Sequence, residues 1–433
     1  MNELNHCKRL SAVKTNAGVK FLTPAAFPGN HCPLHTALAL SSNVKGMSTL
    51  VVGTAECGTY SRNVVYKSKH RDSGLHWMYV LDANEVVFGC RKGLVETVRA
   101  MDEAGAKAIM LILTCVPEVI GEDAEGIVHE LQPKVSARLC FVQMGHFKCN
   151  SHPSGFWKTL AAFGGLMQAA KTDPGRINVL GRSPGEEHIP MPVLLKVLVQ
   201  KGFALRMLAP KSEMGDFIAA PDARLNLVLS PYMNPLAERM QEEFGIPYFS
   251  LHDLYAVSQL DDLLGQLAQT LSLDWGDVFT SERNKALLLE ERAKMAFRDV
   301  SYITTPRNIL MPLPLASYLT EFQMKPLLLH MEEFYPDDRR HAKELLARQD
   351  DPRLCHMVND RADAAVLERL HPALAFGEIY EGTGKIPAVP YLYELYGQVG
   401  YERTAQLLDS MLQTWERAQN TMEGENSYGR LSI

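Results

Sequence analysis

The chain lacks the features that mark several large classes of protein. No apolar run reaches the roughly 18 to 20 residues that a membrane-spanning helix needs. The opening segment, MNELNHCKRLSAVKTN, is polar and has no apolar stretch of the kind found in a secretory signal. Lys and Arg together number 44 against 50 Asp and Glu, a net charge of −6. No Lys/Arg cluster forms the basic stripe with which a nucleic-acid binder meets phosphate. There is no low-complexity tract and no short repeat. Cysteine is scarce, eight in 433 residues, and without a secretory signal these do not read as a disulfide framework. They also lack the two close Cys pairs typical of structural zinc sites. The absences together lead to the expectation of a soluble, cytoplasmic protein with no membrane or nucleic-acid partner. Its cysteines are then either small buried residues or ligands.

What is present is an ordinary globular composition, with 46% hydrophobic and 22% charged residues, and an alternation of apolar β-branched runs with amphipathic stretches. That alternation is the pattern of parallel sheets covered by helices. In the first third, TLVVG (residues 49–53) and AIMLILT (108–114) read as buried strands. Between them, Leu94, Val95, Val98 and Met101 give Gly93–Ala104 a helical period closed by Gly105. The hydrophilic KTDPGR stretch (171–176) reads as a joint. A second set follows with INVLG, ALRML and LNLVLS, and a charged helix at Glu282–Arg298 leads to a third with DVSYITT, KPLLLHM and ALAFGE. The expected fold is α/β, three Rossmann-like domains at 1–172, 173–297 and 298–433.

The cysteines gain meaning from where they fall. In open α/β sheets, ligands bind beyond the carboxyl ends of the strands. Cys57 lies four residues after TLVVG, and Cys115 immediately follows AIMLILT. Cys32 sits in a loop bounded by Pro28-Gly29 and Pro33. Soft thiolate donors suit iron–sulfur clusters, so these three are the candidate ligands. Cys7, Cys90, Cys140 and Cys355 have no such context and read as small packed residues. Glu118 and Asp123 read as caps of the helix after Cys115. His31, His35, His146 and His152 flank the cysteine loops as polar loop residues or as hydrogen-bond partners of sulfur. Glu381-Gly-Thr-Gly-Lys385 is an incomplete phosphate loop, because Ile386 stands in place of Ser/Thr and Pro387 blocks the following helix.

Four segments resemble the nitrogenase component 1 family. Leu113-Thr-Cys115-Val-Pro-Glu-Val-Ile-Gly-Glu-Asp123 is similar to a cluster-cysteine segment followed by Ile-Gly-Asp-Asp, with Glu122 in place of the first acid. Cys32-Pro-Leu-His-Thr-Ala37 and Gly53-Thr-Ala-Glu-Cys57-Gly-Thr-Tyr60 resemble the other two cysteine segments of the P-cluster. Glu85-Val-Val-Phe88-Gly89 resembles a Phe-Gly-Gly segment, with Cys90 where the second glycine would fall. The order and spacing of the cysteines, together with Gly400-Tyr401-Glu402, are closest to the β subunit of the molybdenum-iron protein.

The resemblance implies the three-domain fold of that family and a cluster bound by Cys32, Cys57 and Cys115 at a subunit interface. The cluster would be an eight-iron, seven-sulfur P-cluster or a four-iron, four-sulfur (4Fe-4S) cluster. A homologous α-type subunit in a heterotetramer, or a second copy of the chain, would complete it. A separate ATP-dependent iron protein would act as the reductase. Ser151 lies where the β subunit carries a serine able to join the cluster, with Cys149 as a competing candidate. The α subunit holds its active-site cofactor through a cysteine after a strand of the second domain. Here that stretch, Leu225-Asn-Leu-Val-Leu-Ser230, has serine instead, which points to an electron-relay subunit of an oxidoreductase. The alternative is a scaffold on which a complex iron–sulfur cofactor is assembled, without turnover of its own.

Overall fold

The computed structural model describes residues 4–15, 18–23, 32–59, 74–145, 152–184, 186, 188–335, 337–379 and 386–429. Fourteen strands lie among them. The first five are β1 (Lys20–Phe21), β2 (Met47–Gly53), β3 (His76–Val80), β4 (Ala108–Leu113) and β5 (Arg138–Gln143). Next come β6 (Asp173–Leu180), β7 (Ala204–Leu208), β8 (Ala223–Val228) and β9 (Tyr248–Ser250). The last are β10 (Ser301–Thr304), β11 (Lys325–His330), β12 (Arg353–His356), β13 (Leu374–Phe376) and β14 (Ala388–Val389). They form three sheets, in the orders β3-β2-β4-β5, β7-β6-β8-β9 and β1-β12-β11-β10-β13-β14. The pairings are parallel, with helices on the connections. The mixed α/β class with parallel sheets is as the apolar runs predicted.

The chain divides into two compact units. One comprises residues 30–188 and 198–252 and contains the first two sheets. Its central strands are buried along their whole length, β2 as MSTLVVG and β4 as AIMLIL. Burial on both faces explains why they read as continuous apolar runs and not as alternating ones. One apolar core joins the two sheets, from Leu34, Met47, Val51 and Ile112 to Leu180, Leu208, Val228 and Leu236. A second core covers the other face of the first sheet, where Leu94, Val98 and Met101 of helix Arg91–Glu103 meet Leu111 and Leu113.

Strand β6 departs from the sequence reading. It begins at Asp173 and runs through the Pro-Gly pair that looked like a joint. The register with β8 shifts between Asp173 and Ile177, so the extra residues are taken up as an irregularity in the ladder.

The other unit comprises residues 1–29, 189–197 and 253–433 and contains the six-stranded sheet. The N-terminal segment pairs far from its sequence neighbours, as Lys20 and Phe21 of β1 align with Cys355 and His356 of β12. Leu4, Cys7 and Leu22 join Ile303, Leu328 and Cys355 in this unit's core. No helix among the described residues is long and apolar enough to cross a membrane. The incomplete phosphate loop at 381–385 lies outside the described residues.

Candidate functional site

In the sheet β3-β2-β4-β5 the chain steps outward from β2 to β3 on one side and from β4 to β5 on the other. The order therefore reverses between β2 and β4, and a crevice opens beyond the carboxyl ends of such a pair. Cys57 and Cys115 stand on the two segments that leave those ends. Cys57 lies in the helical turn 55–59 after β2. Cys115 is the first residue of helix Cys115–Val119 after β4. Cys32 precedes helix Pro33–Ser42 as its N-cap residue. Cys32 and Cys57 pack against the same apolar core, and the Cys32 thiol interacts electrostatically with both Cys57 and Cys115. Three cysteines scattered along the sequence are thus neighbours in space.

Local sequence explains each placement. Helix Pro33–Ser42 starts with proline, whose fixed φ suits the first helical position. Leu34, Ala37 and Leu38 are buried, so the helix is anchored and Cys32 is held at its start. Thr114 takes an extended conformation before Cys115. Its N–H and its hydroxyl both donate to the Val52 carbonyl, at 3.0 and 2.8 Å, which locks the exits of β4 and β2 together. The Cys57 N–H donates to Thr54 O at 3.0 Å, and its thiol lies 3.6 Å from Thr114 Oγ1. Gly58 lies so close to Met78 that an added Cβ would fall 2.5 Å from the sulfur.

The three cysteines are partly exposed, whereas Cys7, Cys90, Cys140 and Cys355 are buried. The burial of those four agrees with their reading as small packed residues. Burial raises the Cys32 thiol pKa, the Leu34 N–H opposes this, and the neighbouring Cys115 and Cys57 thiols add to the rise. Burial drives the Cys140 and Cys355 thiols well above the usual range, so they stay protonated and inert. Among the described residues no three His, Cys, Asp or Glu side chains are placed to hold a single metal ion. Several irons bridged by sulfide span more space than one ion. Thiolates are soft donors of the kind that hold such clusters.

Other predicted residues fare differently. Asp123 caps the next helix as expected, accepting the Gly126 N–H at 2.8 Å. Glu118 lies in the first turn of helix Cys115–Val119, and its buried carboxylate accepts the Gly145 N–H at the exit of β5. His31, Tyr60, His146, Cys149 and Ser151 lie outside the described residues, and only the backbone of His152 is described. Ser230 sits at the exit of β8, against Gly181 at the exit of β6. A Cβ on that glycine (φ +101°) would lie 2.6 Å from Ser230 Cβ.

The sequence reading missed a contact beside the site. Gly89-Cys90 approaches the Glu122 carboxylate, and Oε2 accepts the Cys90 N–H at 2.8 Å and its thiol at 3.3 Å. The two positions that depart from the family pattern therefore touch each other.

The sequence pattern of nitrogenase component 1 type oxidoreductases matches residues 32–416. The chain belongs to this family. It is 27% identical over 254 residues to the nitrogenase iron-molybdenum cofactor biosynthesis protein NifE of Clostridium pasteurianum, covering 57% of this chain and 54% of that protein. NifE of Bradyrhizobium diazoefficiens is 22% identical over 365 residues, 78% of this chain and 65% of the relative. A component of the light-independent protochlorophyllide reductase of Picosynechococcus is 24% identical over 188 residues, 40% of this chain and 37% of that protein. The chain thus spans about half the length, or less, of several curated relatives it matches. Among solved structures, nitrogenase Cp1 at pH 6.5 superposes with a TM-score of 0.64 at 15% identity, over 93% of this chain and 96% of that one. At that identity the superposition speaks for the fold, which is of the nitrogenase component 1 type.

Proposed function

We propose that this chain is the electron-relay subunit of a nitrogenase-like reductase and holds an iron–sulfur cluster through Cys32, Cys57 and Cys115. The observation that carries this reading is the meeting of three partly exposed thiols at the switch point of one parallel sheet. Three thiolates leave other iron positions to be filled from elsewhere. A homologous α-type subunit, or a second copy of this chain, supplies them, giving a P-cluster-type or 4Fe-4S cluster between subunits. An ATP-dependent iron protein delivers the electrons. Its docking face on this chain is supported by Val87, Phe88 and Val119, which are 71%, 84% and 63% exposed. Val119 ends the helix that Cys115 begins. Serine at 230 favours substrate reduction in the partner subunit.

A second reading, a scaffold for assembling a complex iron–sulfur cofactor, is favoured by the similarity to NifE proteins. Anaerobic purification with the co-purifying subunit and the cluster oxidised, followed by addition of a chemically reduced iron protein and ATP, separates the two. The relay reading expects ATP-dependent bleaching of the cluster absorbance, with the cluster retained through repeated cycles. Loss of iron to an added acceptor protein, with no ATP-dependent bleaching, would select the scaffold.

A further inference from the structure

The short helix Ala83–Phe88 is built the wrong way round for a packed helix. It buries none of its residues. Val86, Val87 and Phe88 face outward. Polar bonds hold it in place. Asp82 accepts the N–H groups of Asn84 and Glu85 at 2.7 and 2.9 Å, and Glu85 accepts the Asp82 N–H at 3.0 Å. The Tyr79 hydroxyl also donates to Glu85. At the other end, Gly89 has φ +87° and ψ 158°, a conformation open essentially to glycine. A Cβ there would lie 3.3 Å from Glu122 Oε2. The turn delivers Cys90, which is 1% exposed, onto that same oxygen.

Glu122 is in turn bound to the cysteine turn. Its N–H donates to Pro117 O at 2.9 Å, and the Gly121 N–H donates to Glu118 O at 3.3 Å. Pro117 and Glu118 belong to helix Cys115–Val119. Cys90 itself is the N-cap residue of helix Arg91–Glu103, whose Leu94, Val98 and Met101 are fully buried. A rigid helix therefore reaches the Cys115 turn through one thiol, one carboxylate and two backbone hydrogen bonds.

We infer that Cys90 is a positioning residue for Cys115, acting through Glu122, and that it couples the exposed Val87–Phe88 surface to the Cys115 turn. This rests on the reading of Cys115 as a cluster ligand only for its functional consequence. Burial, with the adjacent Glu122 carboxylate, pushes the Cys90 thiol above its ordinary range, so it keeps its proton and remains a donor. The backbone N–H of Cys90 serves Glu122 whatever the side chain. The thiol is the part that substitution can remove.

Hydrogen–deuterium exchange of the full chain tests this, comparing wild type with Cys90→Ala and Cys90→Ser. Local opening sets the exchange rate of such amides. Losing one donor to a carboxylate is expected to speed exchange of the Gly121 and Glu122 amides by roughly threefold or more. Cys90→Ser, which restores a donor, is expected to exchange like wild type. Unchanged exchange across 115–123 in Cys90→Ala would overturn the inference. So would Cys90→Ser behaving like Cys90→Ala, because cavity formation and not the hydrogen bond would then be responsible. Exchange is read without iron, so a wild type that binds no iron removes the cluster reading and leaves this result to stand or fall by itself.

Discussion

Gly53 and Thr114 close the exits of β2 and β4 so tightly that a Cβ on Gly53 would lie 2.1 Å from Thr114 Oγ1. It would also lie 3.2 Å from Cys57 Sγ. The absence of a side chain at 53 is therefore what lets the Thr114 hydroxyl reach the Val52 carbonyl and lets the Cys57 turn fold back beside it. Both cysteine-bearing exits depend on this one close approach.

Gly53→Ala is accordingly expected to destabilise the protein by about 1 to 3 kcal/mol, the usual cost of overpacking a rigid site. Chemical denaturation measures this directly. The same variant is expected to loosen Cys57, seen as faster thiol labelling at that residue under native conditions. A stability within about 0.5 kcal/mol of wild type would mean that the exits rearrange easily and that the close approach does not position Cys57.

Much of this arrangement was legible in the sequence. TLVVG and AIMLILT announced buried parallel strands because both their faces are covered, and Cys57 and Cys115 follow them at once. What stayed hidden was non-local or ran against the usual signals. Strand β1 is two exposed residues, Lys20 and Phe21, with no apolar pattern, and its partner β12 is more than three hundred residues away. Strand β6 passes through a Pro-Gly pair by shifting register. Helix Ala83–Phe88 turns its apolar residues outward, which no periodicity argument anticipates. The Cys90–Glu122 contact joins two residues 32 apart in sequence, which no local pattern links.

The second unit carries a buried carboxyl group with its own pH signature. Asp338 begins helix Asp338–Ala347 and accepts the Tyr335 N–H at 2.7 Å. Burial raises its pKa to about 7; the Tyr335 N–H and His341 oppose the rise, while Asp337 and Glu333 add to it. The folded pKa lies above the unfolded value of about 3.9. Its contribution to stability is therefore fully present below about pH 4 and is lost as pH rises through 7. Asp338→Asn keeps an acceptor for Tyr335 and cannot ionise. It is expected to be more stable than wild type at pH 8 and to flatten the decline between pH 4 and 7. Thermal melts across that range check the slope; an identical slope in the variant would show that Asp338 does not titrate there.

The most direct test of the central claim is iron content and the reduced-state electron paramagnetic resonance signal of anaerobically purified protein. Wild type, Cys115→Ala and the buried control Cys140→Ala are compared. If Cys32, Cys57 and Cys115 hold a cluster, Cys115→Ala loses most of its iron and its native signal. Cys140→Ala retains both, because its sulfur is buried within the fold and bonds to Ile109 O and Met110 Sδ. Equal iron and an unchanged signal in Cys115→Ala would contradict the assignment.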